Sequence, residues 1–254
     1  MKWELNKSFL KFNSILSNKR HLFNKRVDGE GVIEKAIEAL KKGEFIFIYD
    51  GDGREEETDI VVASQFITSE KIKFMRKEGG GLICATIPHE YAEKIGLPYL
   101  HDIFNRSGYE IFKYLTPKVR YDAYPSFSVT INHRDNYTGI PDNERAKTIK
   151  EFAKFIAEVE SMDSPMIEFG RRFISPGHVH LLISSGLDRR RGHTELSTAL
   201  MVMAGLIPSA TIVEILGEDG RSMGKNDARE FARRKGIIFL EGSDILDAWS
   251  KWYG

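Results

Sequence analysis

Hydrophobic and polar residues along the chain follow two periods that alternate over most of its length. Helical spacing is clear at residues 32–40 and 146–156, where apolar side chains recur every three or four positions. Apolar runs of strand length lie between such segments, as at residues 45–48 and 82–87. This alternation of strand, loop and helix predicts a layered α/β (α+β) domain.

Capping and breaking residues predict where several elements begin and end. Thr68 is a good N-cap for a short helix through residue 77, and Pro88 is expected to open a helix at its first position. Asp142 is expected to cap the helix that follows it, and Gly205 to end a helix that begins at His193. The remaining pattern predicts a helix at 226–234 and strands at 60–63, 126–133, 179–183, 211–216 and 237–240.

The organisation along the chain indicates one domain with an appendage. No internal repeat, low-complexity tract or Gly/Ser/Pro-rich linker divides residues 31–254. Residues 1–30 are basic and aromatic, and we interpret them as an N-terminal arm. Residues 97–125 are irregular in pattern, and a mobile flap is expected there.

Composition and charge exclude several classes of protein. The 254 residues include 37 Lys+Arg and 37 Asp+Glu, so no net field favours nucleic acid or an acidic membrane. No apolar stretch approaches the roughly 20 residues that span a bilayer, and the first thirty residues lack the apolar core of a secretion signal. The single Cys84 excludes an intrachain disulfide and fits a reducing compartment, so a cytoplasmic location is expected.

An acidic loop at residues 50–59 has the clearest potential for chemistry. It places six carboxylates within ten residues, between the apolar runs 45–48 and 60–63. Crowded charge of one sign must be offset by a divalent cation, by Arg54 in the same loop, or by protonation of one carboxylate. The loop is therefore either an acidic surface turn or a hard-cation site with oxygen ligands.

Two further stretches carry reactive side chains in turn-like settings. The Pro-Gly turn in residues 175–178 would hold His178 at the mouth of a strand, as a catalytic group or as a structural, hydrogen-bonded histidine. Residues 189–195 combine three arginines with Gly192 and His193 at a predicted helix start. That stretch is either a phosphate cradle or an exposed, salt-bridged face, and His193 could also bind a metal.

A single acidic residue interrupts one of the predicted strands. Glu214 lies inside the apolar run 211–216. Burying a carboxylate costs several kcal/mol unless it is paired, so Glu214 either faces solvent at an edge or serves a site. The cost of burial favours the second alternative, in which Glu214 belongs to a functional site.

Taken together, these motifs resemble a known family, from about Val32 to Leu240. The chain is similar to 3,4-dihydroxy-2-butanone 4-phosphate synthases of riboflavin biosynthesis. The residues that carry the resemblance are Arg54-Glu55-Glu56-Glu57-Thr58-Asp59, Cys84, Thr138-Gly139, Ser175-Pro176-Gly177-His178, Arg190-Arg191-Gly192-His193-Thr194-Glu195 and Glu214.

The resemblance implies a fold, a reaction and a set of roles. It implies a single layered domain with a mixed β-sheet flanked by helices. The reaction would convert D-ribulose 5-phosphate to 3,4-dihydroxy-2-butanone 4-phosphate and formate, with Mg²⁺ or Mn²⁺ and two divalent ions per active site. The metal ligands would be Glu55 and His193. The substrate contacts would be Arg54, Glu55, Asp59, Thr138, Arg190, Arg191, Gly192, His193, Thr194 and Glu214. The catalytic or pocket-lining groups would be Glu57, Asp59, Cys84, His178 and Glu214.

The same resemblance implies an assembly. Family members are homodimers with active sites at the subunit interface, where the Thr138 region comes from the neighbouring subunit. Nucleic acid and membrane are not expected partners. Because the chain has one Cys, it is expected to lack the fused GTP cyclohydrolase II domain, which uses cysteine zinc ligands.

This chain departs from the family pattern at three positions. Glu56 stands where Asn or Gly is usual, Pro141 where a small hydroxyl residue is common, and Glu144 where Asp is common.

Two other functions use the same residues. One is a different metal-dependent sugar-phosphate isomerase or aldolase, which would not release a one-carbon product. The other is a nucleic-acid-binding protein that contacts phosphates through the basic arm and the arginine loop, with affinity that falls steeply with salt.

Overall fold

The protein is built on one mixed β-sheet. The structure is a computed structural model that describes residues 31–116, 118–120, 122 and 124–253. Within these residues seven strands form a sheet in the order β4-β5-β3-β6-β2-β1-β7. The strands are β1 (Ile46–Tyr49), β2 (Thr58–Ala63), β3 (Cys84–Pro88), β4 (Phe127–His133), β5 (Phe173–Ser184), β6 (Ala210–Glu214) and β7 (Ile238–Glu241).

Strand directions in the sheet are mixed. The pairs β1/β7 and β3/β5 are parallel. The pairs β1/β2, β2/β6, β3/β6 and β4/β5 are antiparallel. The predicted layered α/β fold with a mixed sheet is therefore confirmed.

Helices cover both faces of the sheet. They are α1 (Val32–Lys41), α2 (Ser69–Phe74), α3 (His89–Ile95), α4 (Leu100–Arg106), α5 (Phe112–Leu115), α6 (Asp142–Glu158), α7 (Pro165–Arg172), α8 (His193–Ala204), α9 (Lys225–Lys235) and α10 (Gly242–Tyr253). Short 3-10 turns at Ser64–Phe66 and Val159–Ser161 and a π-helical turn at Met75–Gly79 complete the described elements.

Strand β1 shows how the two cores form. Its side chains alternate between faces because successive residues of a strand point in opposite directions. Phe47 packs into the core that contains α6, whereas Ile46 and Ile48 pack into the core that contains α1, α8 and α10. All three side chains are fully buried, which explains why the sequence shows a continuous apolar run here.

Several predicted limits are confirmed. Helix α8 spans His193–Ala204, and Gly205 follows it with a φ of 64°, in the left-handed region that ends helices. The Thr68 hydroxyl accepts a hydrogen bond from the Lys71 amide, as expected of an N-cap.

Two predicted caps differ from the structure. Helix α6 begins at Asp142, but Pro141 occupies its N-cap position. The Asp142 carboxylate instead pairs with Arg76 at 2.8 Å and with Arg145 at 3.0 Å. Pro88 ends β3 and is the N-cap of α3, one position before the predicted one.

Strand β5 is longer than the pattern predicted. The register with β4 jumps from Ile131↔Val179 to Asn132↔Ile174, so residues 175–178 bulge out of a continuous strand. The predicted Pro-Gly turn is therefore a bulge, stabilised by hydrogen bonds from the Gly177 amide to Thr130 and from the His178 amide to Asn132.

The region predicted to be irregular contains local order. Helices α4 and α5 lie within it, and the rings of Phe104 and Phe112 stack with centroids 4.2 Å apart. The predicted N-terminal arm at residues 1–30 lies outside the described residues. No helix among the described residues is long and apolar enough to cross a bilayer.

Helix α1 provides a direct test of the packing. We expect Leu40→Ala to lower the free energy of unfolding by about 2–5 kcal/mol, because Leu40 is fully buried and truncation leaves a cavity. Val32→Ala, at the exposed start of the same helix, should change it by less than about 0.5 kcal/mol. Urea unfolding monitored by circular dichroism measures both, and equal effects would contradict the assigned burial.

Candidate active site

A polar cavity opens where β2 and β6 lie side by side. Asp59 of β2 is directly opposite Glu214 of β6 in the register of the two strands. The cavity has a volume of about 250 Å³. The residues that line it are Arg54, Glu55, Glu57, Asp59, Pro125, Ser126, Phe127, Leu182, Arg190, His193, Thr194, Ile212 and Glu214.

The acidic loop between β1 and β2 is organised by one buried carboxylate. The side chain of Asp50 is fully buried and accepts three hydrogen bonds. Its Oδ2 accepts from the Arg54 guanidinium at 2.9 Å and from the Glu55 amide at 3.0 Å, and its Oδ1 accepts from the Glu57 amide at 3.1 Å. Asp50 thereby folds the loop so that Glu55 and Glu57 face the cavity.

His193 reaches the acidic loop from the first residue of α8. Its Nδ1 lies 3.4 Å from Glu55 Oε2, and its Nε2 donates to the Glu57 carbonyl at 3.1 Å. Burial would lower the pKa of His193, but the carboxylates of Asp59, Glu55 and Asp50 outweigh it and raise the pKa to about 10. Burial likewise opposes ionisation of Glu55, yet His193, Arg54 and Arg190 together lower its pKa to about 2.

Asp59 is the most enclosed acid of the cavity. Burial, followed by repulsion from Glu214, Glu55 and Glu57, raises the pKa of Asp59 well above its usual range. Its Oδ1 is buried without a hydrogen-bond partner, and the nearest cation is His193 Nε2 at 3.7 Å. Such an atom is expected where a proton or a bound ligand completes a site.

Glu214 ends β6 beside Asp59. It is half-buried, and its Oε2 accepts a hydrogen bond from the Leu82 amide at 2.8 Å. Glu214 therefore lines the cavity and does not face solvent at an edge of the sheet.

Cys84 of β3 lies behind these acids and is buried. Burial, with Glu214 and Asp59 nearby, raises the pKa of the Cys84 thiol well above its usual range. Cys84 is therefore a neutral thiol rather than a nucleophilic thiolate.

Two arginines that line the cavity supply positive charge next to these acids. Arg54 Nη1 lies 3.0 Å from Glu55 Oε1, and Arg190 Nη2 lies 3.7 Å from the same oxygen. Arg190 Nη1 also pairs with Glu195 Oε2 at 2.7 Å. With both side chains mostly buried, the guanidinium groups can bind an anion in a region of low dielectric.

The donor set fits a divalent cation. Ligand atoms of Asp50, Glu55 and His193 lie within 4.8 Å of one another. Because Asp50 already accepts three hydrogen bonds within its loop, Glu55 and His193 are the better ligands, with the orphaned oxygen of Asp59 beside them. Carboxylate oxygens and one imidazole suit Mg²⁺ or Mn²⁺.

Comparison with known proteins identifies one family. The family model for 3,4-dihydroxy-2-butanone 4-phosphate synthase matches residues 34–248. A protein of that name from Methanosarcina mazei is 40% identical over 232 residues, an alignment that covers 87% of this chain and 92% of the relative. The chain belongs to the 3,4-dihydroxy-2-butanone 4-phosphate synthase family.

Solved structures of the family share the fold. A cation-free 3,4-dihydroxy-2-butanone 4-phosphate synthase is 27% identical, with a TM-score of 0.68 over 87% of this chain and 98% of that chain. Another, solved in complex with two magnesium ions, is 28% identical, with a TM-score of 0.65 over 84% of this chain and 94% of that chain.

The structure brings most of the predicted site residues together. Those lining one cavity are Arg54, Glu55, Glu57, Asp59, Arg190, His193, Thr194 and Glu214. Gly192 is buried at the N-cap of α8, next to His193. Arg191 is exposed to solvent.

Glu56, which departs from the family pattern, is also exposed, and its carboxylate accepts a hydrogen bond from the Gly53 amide within the loop.

Besides Cys84, Arg191 and Gly192, two further predicted residues do not line the cavity of their own chain. His178 is exposed in the bulge of β5 and lies four residues, or about 13 Å of strand, from the cavity residue Leu182. Thr138 follows the far end of β4, whose first residue Phe127 lines the cavity. The Thr138 amide and hydroxyl bind the carboxylate of Glu144, another departure from the family pattern.

Sequence reasoning missed three acids that hold the site together. The sequence pattern did not distinguish Asp50 from the other five acids of its loop, although its position directly after a buried strand could have indicated a structural carboxylate. Glu195 is fully buried at the third position of α8, and three residues after Gly192 is the spacing of an N-terminal capping acid. Asp122 contacts Arg190 across 68 positions of sequence, and no local pattern marks it.

The pKa of His193 predicts how metal affinity depends on pH. A divalent cation binds neutral imidazole, so it must displace the proton that His193 holds up to a pKa of about 10. Between pH 6 and 8 Glu55 is already ionised, and affinity for Mn²⁺ should rise with pH, approaching about tenfold per unit for one displaced proton. Calorimetric titration at pH 6, 7 and 8 measures this slope. An Mn²⁺ affinity that does not change with pH would contradict competition between the cation and the proton on His193. His193→Gln should abolish the dependence of affinity on pH.

Proposed function

We propose that this protein converts D-ribulose 5-phosphate to 3,4-dihydroxy-2-butanone 4-phosphate and formate, a step of riboflavin biosynthesis. One observation carries the proposal. Glu55 of the acidic loop and His193 of α8, which are 138 positions apart in the numbering, have side-chain atoms 3.4 Å apart inside a cavity that also holds two arginines. Family membership supplies the reaction, and this geometry supplies the groups that it needs.

Glu55 and His193 would hold the divalent cation, Mg²⁺ or Mn²⁺, and a second cation would bind nearby. A relative solved with two magnesium ions supports this stoichiometry. When bound, such a cation supplies a Lewis acid that polarises the carbonyl and hydroxyl oxygens of a ketose. Arg54 keeps Glu55 ionised and oriented by pairing with it at 3.0 Å.

Arg190 and Thr194 would bind the phosphate. His193 and Thr194, the first residues of α8, line the cavity, so a phosphate there would lie at a helix N-terminus, and the guanidinium of Arg190 would add charge-assisted hydrogen bonds. A phosphate bound there would fix the sugar in the cavity that Asp59 and Glu214 also line.

Asp59 and Glu214 would move the protons. Enediol formation from a ketose needs a base that removes a proton from carbon and an acid that returns one. Asp59, whose pKa is raised by burial, is suited to hold a proton, and the half-buried Glu214 is suited to accept one. Enclosing walls from Phe127 and Leu182 limit the access of water, which would divert a reactive enediol.

The active site would be completed by a second copy of the chain. Thr138 and His178 belong to the family motifs but lie away from the cavity of their own subunit. Both lie near β4, which is an edge strand, and large apolar side chains are exposed around them. Tyr137 is 95% exposed, Ile140 52% and Ile174 40%. A homodimer would bury this surface and bring Thr138 and His178 to the neighbouring cavity.

Product analysis tests the proposed reaction. Purified protein incubated with D-ribulose 5-phosphate and Mg²⁺ should release formate in a one-to-one ratio with the four-carbon phosphate, and a chelator should stop the release. A formate dehydrogenase assay measures the one-carbon product. Conversion of the sugar phosphate without formate would identify an isomerase or aldolase instead and would overturn the proposal.

Adjacent glutamates of the acidic loop provide a matched pair of variants. Glu55→Gln should lower kcat/KM at least about a hundredfold, because the amide is a poor ligand for a hard cation. Glu56→Gln should stay near the original activity, since Glu56 faces solvent. His193→Ala should lose turnover as Glu55→Gln does, with an unchanged circular dichroism spectrum. Full activity in both Glu55→Gln and His193→Ala would show that the metal lies elsewhere.

A further inference from the structure

The side chain of Asn132, near the end of β4, contacts both His178 and Thr138. Asn132 is buried, and its Oδ1 accepts a hydrogen bond from the His178 amide at 2.9 Å. Its Nδ2 donates to the Thr138 carbonyl at 3.2 Å. His178 and Thr138 are the two family residues that lie away from the cavity of their own subunit. Asn132 therefore joins the bulge of β5 to the loop that follows β4.

Two glycines of the family motifs make room for Asn132. A Cβ atom at Gly139 would lie 2.2 Å from both the side-chain oxygen and the side-chain nitrogen of Asn132. A Cβ atom at Gly177 would lie 2.3 Å from the backbone nitrogen of Asn132. Both distances are overlaps rather than contacts. The absence of a side chain at these positions is what lets the Thr138 loop and the bulge close onto Asn132.

The two backbone partners fix the direction of the Asn132 amide. A backbone N–H can only donate and a carbonyl oxygen can only accept. The oxygen of Asn132 must therefore face the His178 amide, and its nitrogen must face the Thr138 carbonyl. The nitrogen keeps a second hydrogen to donate.

The same amide lies against the ring of His178. Nδ1 of His178 is 3.2 Å from Asn132 Nδ2 and 3.3 Å from Asn132 Oδ1. Nδ1 can accept the second hydrogen of Nδ2 only when it carries no proton of its own. A proton on Nδ1 would remove that acceptor and point toward the Nδ2 hydrogen, which is unfavourable for a buried amide. The hydrogen bonds of Asn132 therefore favour the imidazole with its proton on Nε2.

We infer that Asn132 is a positioning residue that holds neutral His178 with its proton on Nε2 and ties it to the Thr138 loop. The inference rests on the proposed function for the roles of His178 and Thr138. In this tautomer Nε2 presents an N–H donor, which is suited to polarise an oxygen of the substrate. The two residues would then reach the cavity of the neighbouring subunit as one preassembled unit.

The ¹⁵N NMR signals of the His178 ring test the inference without requiring turnover. Protonated and unprotonated imidazole nitrogens resonate in separate ranges, and His178→Gln assigns the signals by their loss. At mildly alkaline pH the full-length protein should show an unprotonated Nδ1 and a protonated Nε2. A protonated Nδ1, in the other neutral tautomer or in the imidazolium, would overturn the inference.

Asn132→Asp changes the group that faces Nδ1 while keeping the size of the side chain. A carboxylate can only accept, so the Nδ1 signal should become that of a protonated nitrogen. We expect kcat for D-ribulose 5-phosphate to fall at least about tenfold, because the ring then presents the wrong tautomer. KM should change less than about twofold, since neither residue belongs to the proposed phosphate site. An unchanged Nδ1 signal would overturn the inference, as would an unchanged kcat with a shifted signal.

Asn136→Asp is the matched control. Asn136 lies in the same connection between β4 and α6, and its Nδ2 donates to the Glu144 carbonyl at 3.0 Å and to the Thr148 hydroxyl at 2.8 Å. The same substitution there should leave the His178 signals unchanged, and an equal shift would overturn the inference. The spectrum of the unsubstituted protein decides the tautomer even if Asn132→Asp does not fold. Because the spectra need no substrate, their failure is distinguishable from a failure to release formate.

Discussion

Compensation of buried charge is the constraint on which this structure depends. Four acids, Asp50, Glu55, Asp59 and Glu195, are mostly or fully enclosed at one end of the sheet. Removing ionised carboxylates from water costs several kcal/mol each unless cations and hydrogen bonds replace the lost hydration. Arg54, Arg190 and His193 provide that replacement, and backbone amides donate hydrogen bonds to Asp50 and Glu195.

The fold supplies these partners from distant parts of the chain. The acidic loop joins β1 to β2, His193 begins α8, and Glu214 ends β6. Strand pairing places Asp59 opposite Glu214, and the packing of α8 against the α1 side of the sheet brings His193 to the loop. The sheet and its two cores therefore hold together charged groups that no single segment of the chain contains. Among the acids that line the cavity, only Asp59 has a buried oxygen without a hydrogen-bond partner.

The sequence predicted the parts of this arrangement that local pattern controls. Helix α8 and its glycine stop were predicted to the residue, because apolar spacing, a polar start and Gly205 all agree. The cap expected at Asp142 was wrong because Arg76, 66 positions earlier, competes for that carboxylate. Strand β5 was predicted too short, since its Pro-Gly bulge looks like a turn until β4 is present to pair with both sides of it. The contacts of Asp122 were not predicted for the same reason, because they are made with two arginines that are distant in sequence.

The central claim is that Glu55 and His193 bind one divalent cation in a shared cage. Anomalous diffraction from crystals grown with Mn²⁺ tests it most directly. The account predicts a manganese peak bonded to both the Glu55 carboxylate and the His193 imidazole, with Asp59 beside it. A well-ordered cavity with no peak between these two side chains at saturating Mn²⁺, or a peak bound to neither, would contradict it.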